Sequence, residues 1–554
     1  MNNIEYEYIE TKSLIFTQTG IILNFDFVVA GAGSAGCAVA NRLSACGKYS
    51  VALIEAGGKD NNPWIHVPVG YFKTLGNPKT DWRYVTQPDD GLNGRSIPWP
   101  RGRVLGGSSS INGLLYVRGQ PQDFNHWRQL GNTGWGWDDV LPYFKRAENW
   151  KGNSQGDMRG KTGPLSVSPT RLKREVVDKW IEAAIGAGYR ANPDYNSEDQ
   201  EGVASFQLTS DKGRRCSSAV AYLRPIRSRK NLTVLTNTQI EKLAIKQGCV
   251  TGLIVRQNGQ PAEITVNREV VLSAGSIGSP QILMLSGIGD STDLQKFGIE
   301  MHRHLPGVGR NLQDHLQARP IFKTDLSTMN TETNSLFKKA MIGLQYIVAQ
   351  TGPMTMAASL GTGFLKTHPD LETPDIQFHI QPFSANNAIE GTHPFSAFTT
   401  SVLQLRPEST GQLRLKSADF RDHPDIHPNY LATKLDQQTI VEGIKIARRI
   451  ARFEPLKSHV LEEYQPGAHI GINDDTAILE WAHNTAVTIY HPTGTCKMGS
   501  DPMAVVDERL RAHGIKGLRV ADASIMPTIT SGNTNAPAIM IGEKVSDMVL
   551  EDAA

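Results

Sequence analysis

The chain has 554 residues, room for several domains at about 150 residues each. Hydrophobic residues make up 39% and charged residues 20%, the balance of a folded globular chain and not of a disordered one. A formal net charge of +2 gives no overall field for nucleic acid or a strongly acidic partner. Five scattered cysteines without a C-x-x-C form neither a disulfide framework nor a zinc site, and fit a reducing, cytoplasmic compartment.

Residues 1–24 read as an extension, an extra strand or arm ahead of a domain that starts near Phe25. Acidic Glu5 and Glu7 stand where a secretory leader carries basic residues. No window approaches the ~20 apolar residues of a membrane span, although peripheral attachment to the inner membrane face needs none. From Phe25 the apolar run FDFVVA predicts a buried parallel strand, followed at once by Gly31, Gly33 and Gly36 in G-x-G-x-x-G spacing, with Ser34 and Ala35 between. CAVANRL continues with helical period, and VALIE is a second strand ending in Glu55. The glycines permit a tight turn, close approach to a pyrophosphate and close helix–strand packing, while the helix N-terminus faces the phosphates. Glu55, followed by Ala56, is placed to accept both hydroxyls of a ribose. No arginine follows for a 2′-phosphate, which disfavours NADP without separating NAD from FAD.

Residues 98–118, PWPRGRVLGGSSSINGLLYVR, form a second loop rich in glycine, serine and arginine, of a length that is usually functional. Gly106 and Gly107 allow close backbone approach, Ser108 and Asn112 supply donors, and Arg103 and Gly113 flank them. The pattern G-R-x-L-G-G-S-S-x-I-N resembles the first signature of the glucose–methanol–choline (GMC) oxidoreductases. GSIGSPQILMLSGIG at 275–289 resembles the second, and GRRCSSAVAYLRP (213–225), PGVGRNLQDH (306–315) and the stretch 517–550 complete the set in order.

The resemblance implies an α/β (overall α+β) architecture, with a Rossmann-like FAD-binding domain and an antiparallel-sheet substrate-binding domain. The first is expected from 25–155, 211–310 and 486–554, the second from 156–210 and 311–485. It implies FAD contacts from the 106–112 loop, from the backbone of Ile240 in the single strand expected over 231–243, and from Ala274. Further contacts are implied from Tyr490, Asp522 with Ala523, and Asn535. Some family members tether the flavin through a histidine that Ile111 replaces here, so non-covalent FAD is expected.

Oxidising an alcohol by hydride transfer requires a base for the hydroxyl proton, a contribution of about 10²–10⁴ in rate. His491 in TIYHPTGTCKMG aligns with the family's catalytic histidine, and Pro492 restrains its backbone. Asn533 in SGNTNAP takes the partner position, its amide an electrostatic donor to the developing alkoxide. No metal is expected: Cys496 lacks ligand-spaced partners and reads as packing, and His315 as a residue bonding backbone within its own loop.

For the substrate side, DIQFHIQPF (375–383) and TTSVLQLRP (399–407) are expected as strands, and 331–352 as an amphipathic helix lining the entrance. Met354, Met356 and Ile489 are candidate pocket residues. Gln317 stands where choline-binding members carry glutamate, which points away from a cation and toward a neutral primary alcohol. The acceptor is expected to be a quinone or carrier more than O2. The alternatives are an O2-using alcohol oxidase, a choline dehydrogenase, and an FAD-retaining lyase or photodecarboxylase on the same fold.

Overall fold

The computed structural model describes residues 14–17, 20–153, 156–332, 335–386 and 391–554. FDFVVA becomes the second half of a strand, Gly20–Ala30, in which Phe27 to Ala30 are at most 1% exposed. Burying side chains of this size contributes about 1.5–3 kcal/mol each. The strand begins ahead of Phe25, because Leu14–Thr17 pairs antiparallel with Gly20–Leu23 and extends the sheet. Of the expected extension, residues 1–13 and 18–19 lie outside the described residues.

Around Gly20–Ala30 an eight-stranded sheet is built. Val51–Ile54 and Leu232–Leu235 lie parallel on one side, Gln260–Leu272 and Leu518–Val520 parallel on the other. The antiparallel strands Cys249–Gln257 and Thr238–Lys246 continue the edge. The single strand expected over 231–243 is therefore two. Asn237, at φ 52°, breaks it, sending one half into the parallel layer and the other into the antiparallel edge. Helix Ser34–Leu43 packs on helix Asn535–Ala553, where a Cβ on Gly542 would stand 2.6 Å from the Ala35 carbonyl oxygen. Arg42 and Arg146 both meet the fully buried Glu543 in that layer.

The second eight-stranded sheet is antiparallel: Val460–Gln465, Ile321–Thr324, Ala397–Gln404, Ile376–Gln381, Gly361–Leu365, Gly202–Ser205. Leu316–Ala318 joins beside Ala397–Gln404 and carries Val487–Thr488 on its other edge. In Ile376–Gln381 every residue is buried, apolar Ile376, Phe378 and Ile380 alternating with polar Gln377, His379 and Gln381. The period of two turns the apolar set into the core and the polar set to the opposite face. His379 and Gln381 on that face line the large cavity between the sheets.

Candidate active site

One end of this cavity is a glycine cradle at the ends of the parallel strands. Gly31 turns at φ 114°, where a Cβ would lie 2.4 Å from the Ser273 carbonyl oxygen. The second loop folds onto the first: Gly106 and Gly107 sit at φ 87° and 53°, and a Cβ on Gly107 would meet Gly33 Cα at 2.7 Å. Gly31, Gly33, Ser34, Ala35, Glu55, Ala56, Gly107, Ser108, Asn112, Gly113, Ile240 and Ala274 all line the cavity.

Glu55 is buried, accepting the Gly57 amide at 2.8 Å and the Ala32 amide at 3.3 Å, and burial pushes its pKa up to about 7. Asp522 lines the same cavity and is also a cap. It accepts Ser524 N and Gly275 N at 2.8 Å and Ser279 Oγ at 2.6 Å, and burial raises its pKa. Ala523 and Asn535 line the cavity too, and Ser34 Oγ donates to Asn535 Oδ1 at 2.7 Å. These features suit a dinucleotide: backbone bared by glycine for a pyrophosphate, and a buried carboxylate for ribose hydroxyls.

Three expected contacts are not brought to the cavity wall. Gly36 lies under the first turn, a Cβ there meeting the Gly31 carbonyl oxygen at 1.9 Å; its role is helix–turn packing. Arg103 stacks over Trp82, 4.8 Å from the ring centroid. Gly106 supplies the left-handed turn that presents Gly107.

At the other end stand His491 and Asn533, with Ile489 and Tyr490 beside them. Asn533 Nδ2 lies 2.9 Å from His491 Nε2, His491 Nδ1 lies 3.0 Å from His315 Nδ1, and His315 Nε2 lies 2.8 Å from the Leu405 carbonyl oxygen. A carbonyl only accepts, so His315 carries its proton on Nε2 and accepts at Nδ1. His491 then donates from Nδ1 and keeps its lone pair on Nε2, toward the cavity. Burial, reinforced by His315, His379 and Arg101, holds the His491 pKa well below the ordinary histidine value, so the ring is neutral and able to accept a proton. Burial likewise lowers His315 to about 4 and His379 to about 3.

The backbone at Tyr490 and His491 is held at two points. Asp314 Oδ1 accepts its amide at 2.7 Å while Oδ2 accepts Thr488 and Tyr430 hydroxyls. Arg101 donates to the Tyr490 carbonyl at 2.7 Å, and Tyr490 is held at φ 70°, a costly conformation for a non-glycine residue. His315 does not bond within its own loop as expected; it reaches across to Leu405 and to His491. Cys496 is buried behind the site, its thiol pKa raised well above normal by burial, and both His491 nitrogens face other partners.

The substrate end is roofed by Gln317, Arg319, His379 and Gln381, with Tyr71, Phe72 and Phe383 as apolar walls. Met354 and Met356 do not line it: Met356 is core at 1% exposure and Met354 is half-buried elsewhere, so Ala358 and Ser359 form that wall instead. The helix expected over 331–352 runs Leu336–Ala349 and does not line the cavity either; it lies on the outer surface with only Tyr346 buried. Several lining residues have polar atoms without protein partners: Gln317 Oε1, Arg319 Nε, Ser359 Oγ, His379 Nε2 and Asn533 Oδ1. Buried polar atoms are nearly always paired, so this concentration marks a ligand site. The sequence reading missed Arg319, His379 and Gln381. For His379 and Gln381 the signal was present, as polar residues at every second position of a strand otherwise apolar.

The sequence matches the GMC oxidoreductase family over residues 25–317 in its N-terminal part and 407–542 in its C-terminal part. It is 40% identical to mouse mitochondrial choline dehydrogenase over 95% of this chain and 89% of that protein. It is 38% identical to alcohol dehydrogenase [acceptor] of Pseudomonas putida over 95% of this chain and 96% of that one. Pyridoxine 4-oxidase from Mesorbium loti superposes with a TM-score of 0.86 at 30% identity, covering 95% of this chain and 99% of that one. With a dinucleotide cradle at one end of the cavity and a neutral, unprotonated histidine at the other, the chain belongs to the GMC oxidoreductases, FAD-dependent enzymes that oxidise the CH–OH group of an alcohol.

Proposed function

We propose that this enzyme oxidises a primary alcohol to its aldehyde, with His491 as the base and Asn533 as the oxygen-holding donor. The hydrogen-bonded series Leu405–His315–His491–Asn533 carries the reading, because it leaves a lone pair on His491 Nε2 facing the cavity. The substrate hydroxyl gives its proton to Nε2, and the imidazolium so formed keeps its Nδ1–H bond to His315. The Asn533 amide, which donates to Nε2 in the structure, turns its donor to the alkoxide oxygen. Bound FAD supplies the two-electron acceptor for the hydride that leaves the carbinol carbon. At 7% exposure His491 works away from bulk water, which strengthens each of these interactions. Replacing His491 with alanine is expected to lower the rate of anaerobic flavin bleaching by alcohol by about 10²–10⁴-fold with FAD retained. Unchanged bleaching in that variant would remove His491 from the base role.

The cradle would hold FAD non-covalently, since Ile111, with no nucleophile, lines the cavity where tethering members place histidine. Acid precipitation should release all of the flavin into the supernatant; flavin pelleting with the protein would contradict this. A quinone or protein carrier, more than O2, is the acceptor we favour. A cytoplasmic location, with peripheral attachment at the inner membrane face as a further option, is supported by five scattered cysteines without a C-x-x-C. Choline oxidation is the second reading, favoured by the mouse relative and opposed by the amide at Gln317.

A further inference from the structure

The substrate end of the cavity holds a cation that no described residue balances. Arg319 lines it, and its Nη2 donates only to Gln381 Oε1 at 3.2 Å and the Ala385 carbonyl oxygen at 3.4 Å. Among the described residues its Nε is buried with no acceptor, Nη1 has none either, and no carboxylate forms an ion pair with it. Of the described residues lining the cavity only Glu55 and Asp522 are acidic, and both belong to the dinucleotide end. Arg101, the other guanidinium among the described residues lining the cavity, has Asp314 and Asp81 around it, whereas Arg319 has among them only the phenols of Tyr490 and Tyr71. Burial accordingly lowers the Arg319 pKa, with no carboxylate to offset it.

A half-buried guanidinium without a counter-charge is costly to maintain unless a ligand supplies one. Its neighbours suit that ligand. Gln381 accepts from Arg319 through Oε1 and so has its NH₂ to donate. Neutral His379 has one N–H to give and is without a partner at Nε2. Gln317, in place of a carboxylate, adds no negative charge.

We infer that the alcohol oxidised here carries a carboxylate at its end remote from the hydroxyl, received by Arg319 with Gln381 and His379. This rests on the alcohol-oxidising reading and goes beyond the uncharged substrate that Gln317 suggests by itself. A single negative charge balances one guanidinium, whereas a dianionic phosphate would leave a net charge enclosed. The strand carrying Gln317 pairs with Val487–Thr488, which leads directly into Tyr490 and His491. Anion receptor and base thus stand on adjoining segments of one cavity wall. The oxidation is the one already described: the proton passes to His491, the hydride to FAD, and the carboxylate is unchanged.

The test uses the holoenzyme and pairs of ω-hydroxycarboxylates and their primary amides, from three to ten carbons, read by anaerobic flavin bleaching. At the best chain length the acid should exceed its amide at least about tenfold in the apparent second-order rate constant. In Arg319→Gln that ratio should collapse toward one, and in Arg319→Lys it should be partly kept. Hexanoate should perturb the flavin spectrum of the wild type and not of Arg319→Gln, with flavin content confirming that the variant is folded. Acids equal to or poorer than their amides at every length would overturn the inference, as would hexyl phosphate perturbing the spectrum more tightly than hexanoate. The hexanoate titration needs no turnover. It therefore decides the role of Arg319 even if no alcohol bleaches the flavin, an outcome that would instead sink the alcohol-oxidising reading.

Discussion

At His491 the carbonyl of Leu405 acts through two rings. It fixes the proton on His315 Nε2, and that choice sets which nitrogen of His491 is free. The pKa shift has a direct consequence for activity. The neutral ring is the active form, and burial with three cationic or proton-bearing neighbours pushes its protonation well below pH 6.5. Flavin reduction by alcohol should therefore stay level as pH falls through 6.5 and decline only at lower pH. A stopped-flow pH profile with a midpoint at or above 6.5 would contradict the assigned environment. Glu55 behaves oppositely. Its carboxyl in the free cradle has a pKa raised to about 7, and ribose hydroxyls donating to it favour the ionised form. Below pH 7 the free site is protonated and must lose that proton to bind FAD. Affinity should thus weaken on acidification from pH 7 and level off above it. Fluorescence titration of apoprotein with FAD measures this, and Glu55→Gln should flatten the profile; a wild-type affinity unaffected between pH 5.5 and 8 would refute the linkage.

At the scale of elements, local pattern was legible and three-dimensional neighbourhood was not. FDFVVA, the glycine loop, the following helix and VALIE are each specified by residues adjacent in sequence, and all four appear in the structure. The break at Asn237 was hidden because NLTVLTNTQIEKL is apolar on both sides of it, and only the two different partner strands show that the chain changes layer. Met354 and Met356 failed as pocket residues because an apolar side chain near a cavity and one in the core look alike in sequence. His315 was read as bonding nearby backbone, but its partners are 90 and 176 residues away. Arg319 could be seen only as an arginine: what distinguishes it is the missing carboxylate, a property of everything packed around it. The strand Ile376–Gln381 is the instructive middle case. Its alternation was readable, and polar residues at every second position of it could have pointed to a polar cavity wall, whereas their burial is visible only in the structure.

For the whole molecule, the feature that the enzyme's chemistry leaves unused is the surface helix Leu336–Ala349. Leu336, Phe337, Met341, Leu344, Ile347 and Val348 are between 49% and 85% exposed, an apolar patch of a kind soluble surfaces seldom leave open. At 100° per residue these six fall within about 140° of the circumference, with Lys338 and Lys339 flanking them on either side. No acidic residue lies between Ser335 and Gly352. An apolar stripe edged by lysines is the pattern of a helix lying in an anionic bilayer surface, where each lysine contributes about 1 kcal/mol. The helix runs on into Pro353–Thr355, which packs on Pro68–Gly70 directly before the cavity-lining Tyr71 and Phe72. Docking by this stripe would set the cavity close to the bilayer, where a quinone acceptor resides. The protein should therefore co-sediment with vesicles of phosphatidylcholine and phosphatidylglycerol, far less with phosphatidylcholine alone, and the difference should shrink as salt rises. Leu344→Glu with Ile347→Glu should abolish co-sedimentation while anaerobic bleaching by alcohol persists, because neither side chain reaches the cavity. Equal sedimentation of wild type and variant would rule out the helix as the docking element. A wild-type dimer that the same substitutions convert to monomer would show instead that a second copy covers the stripe.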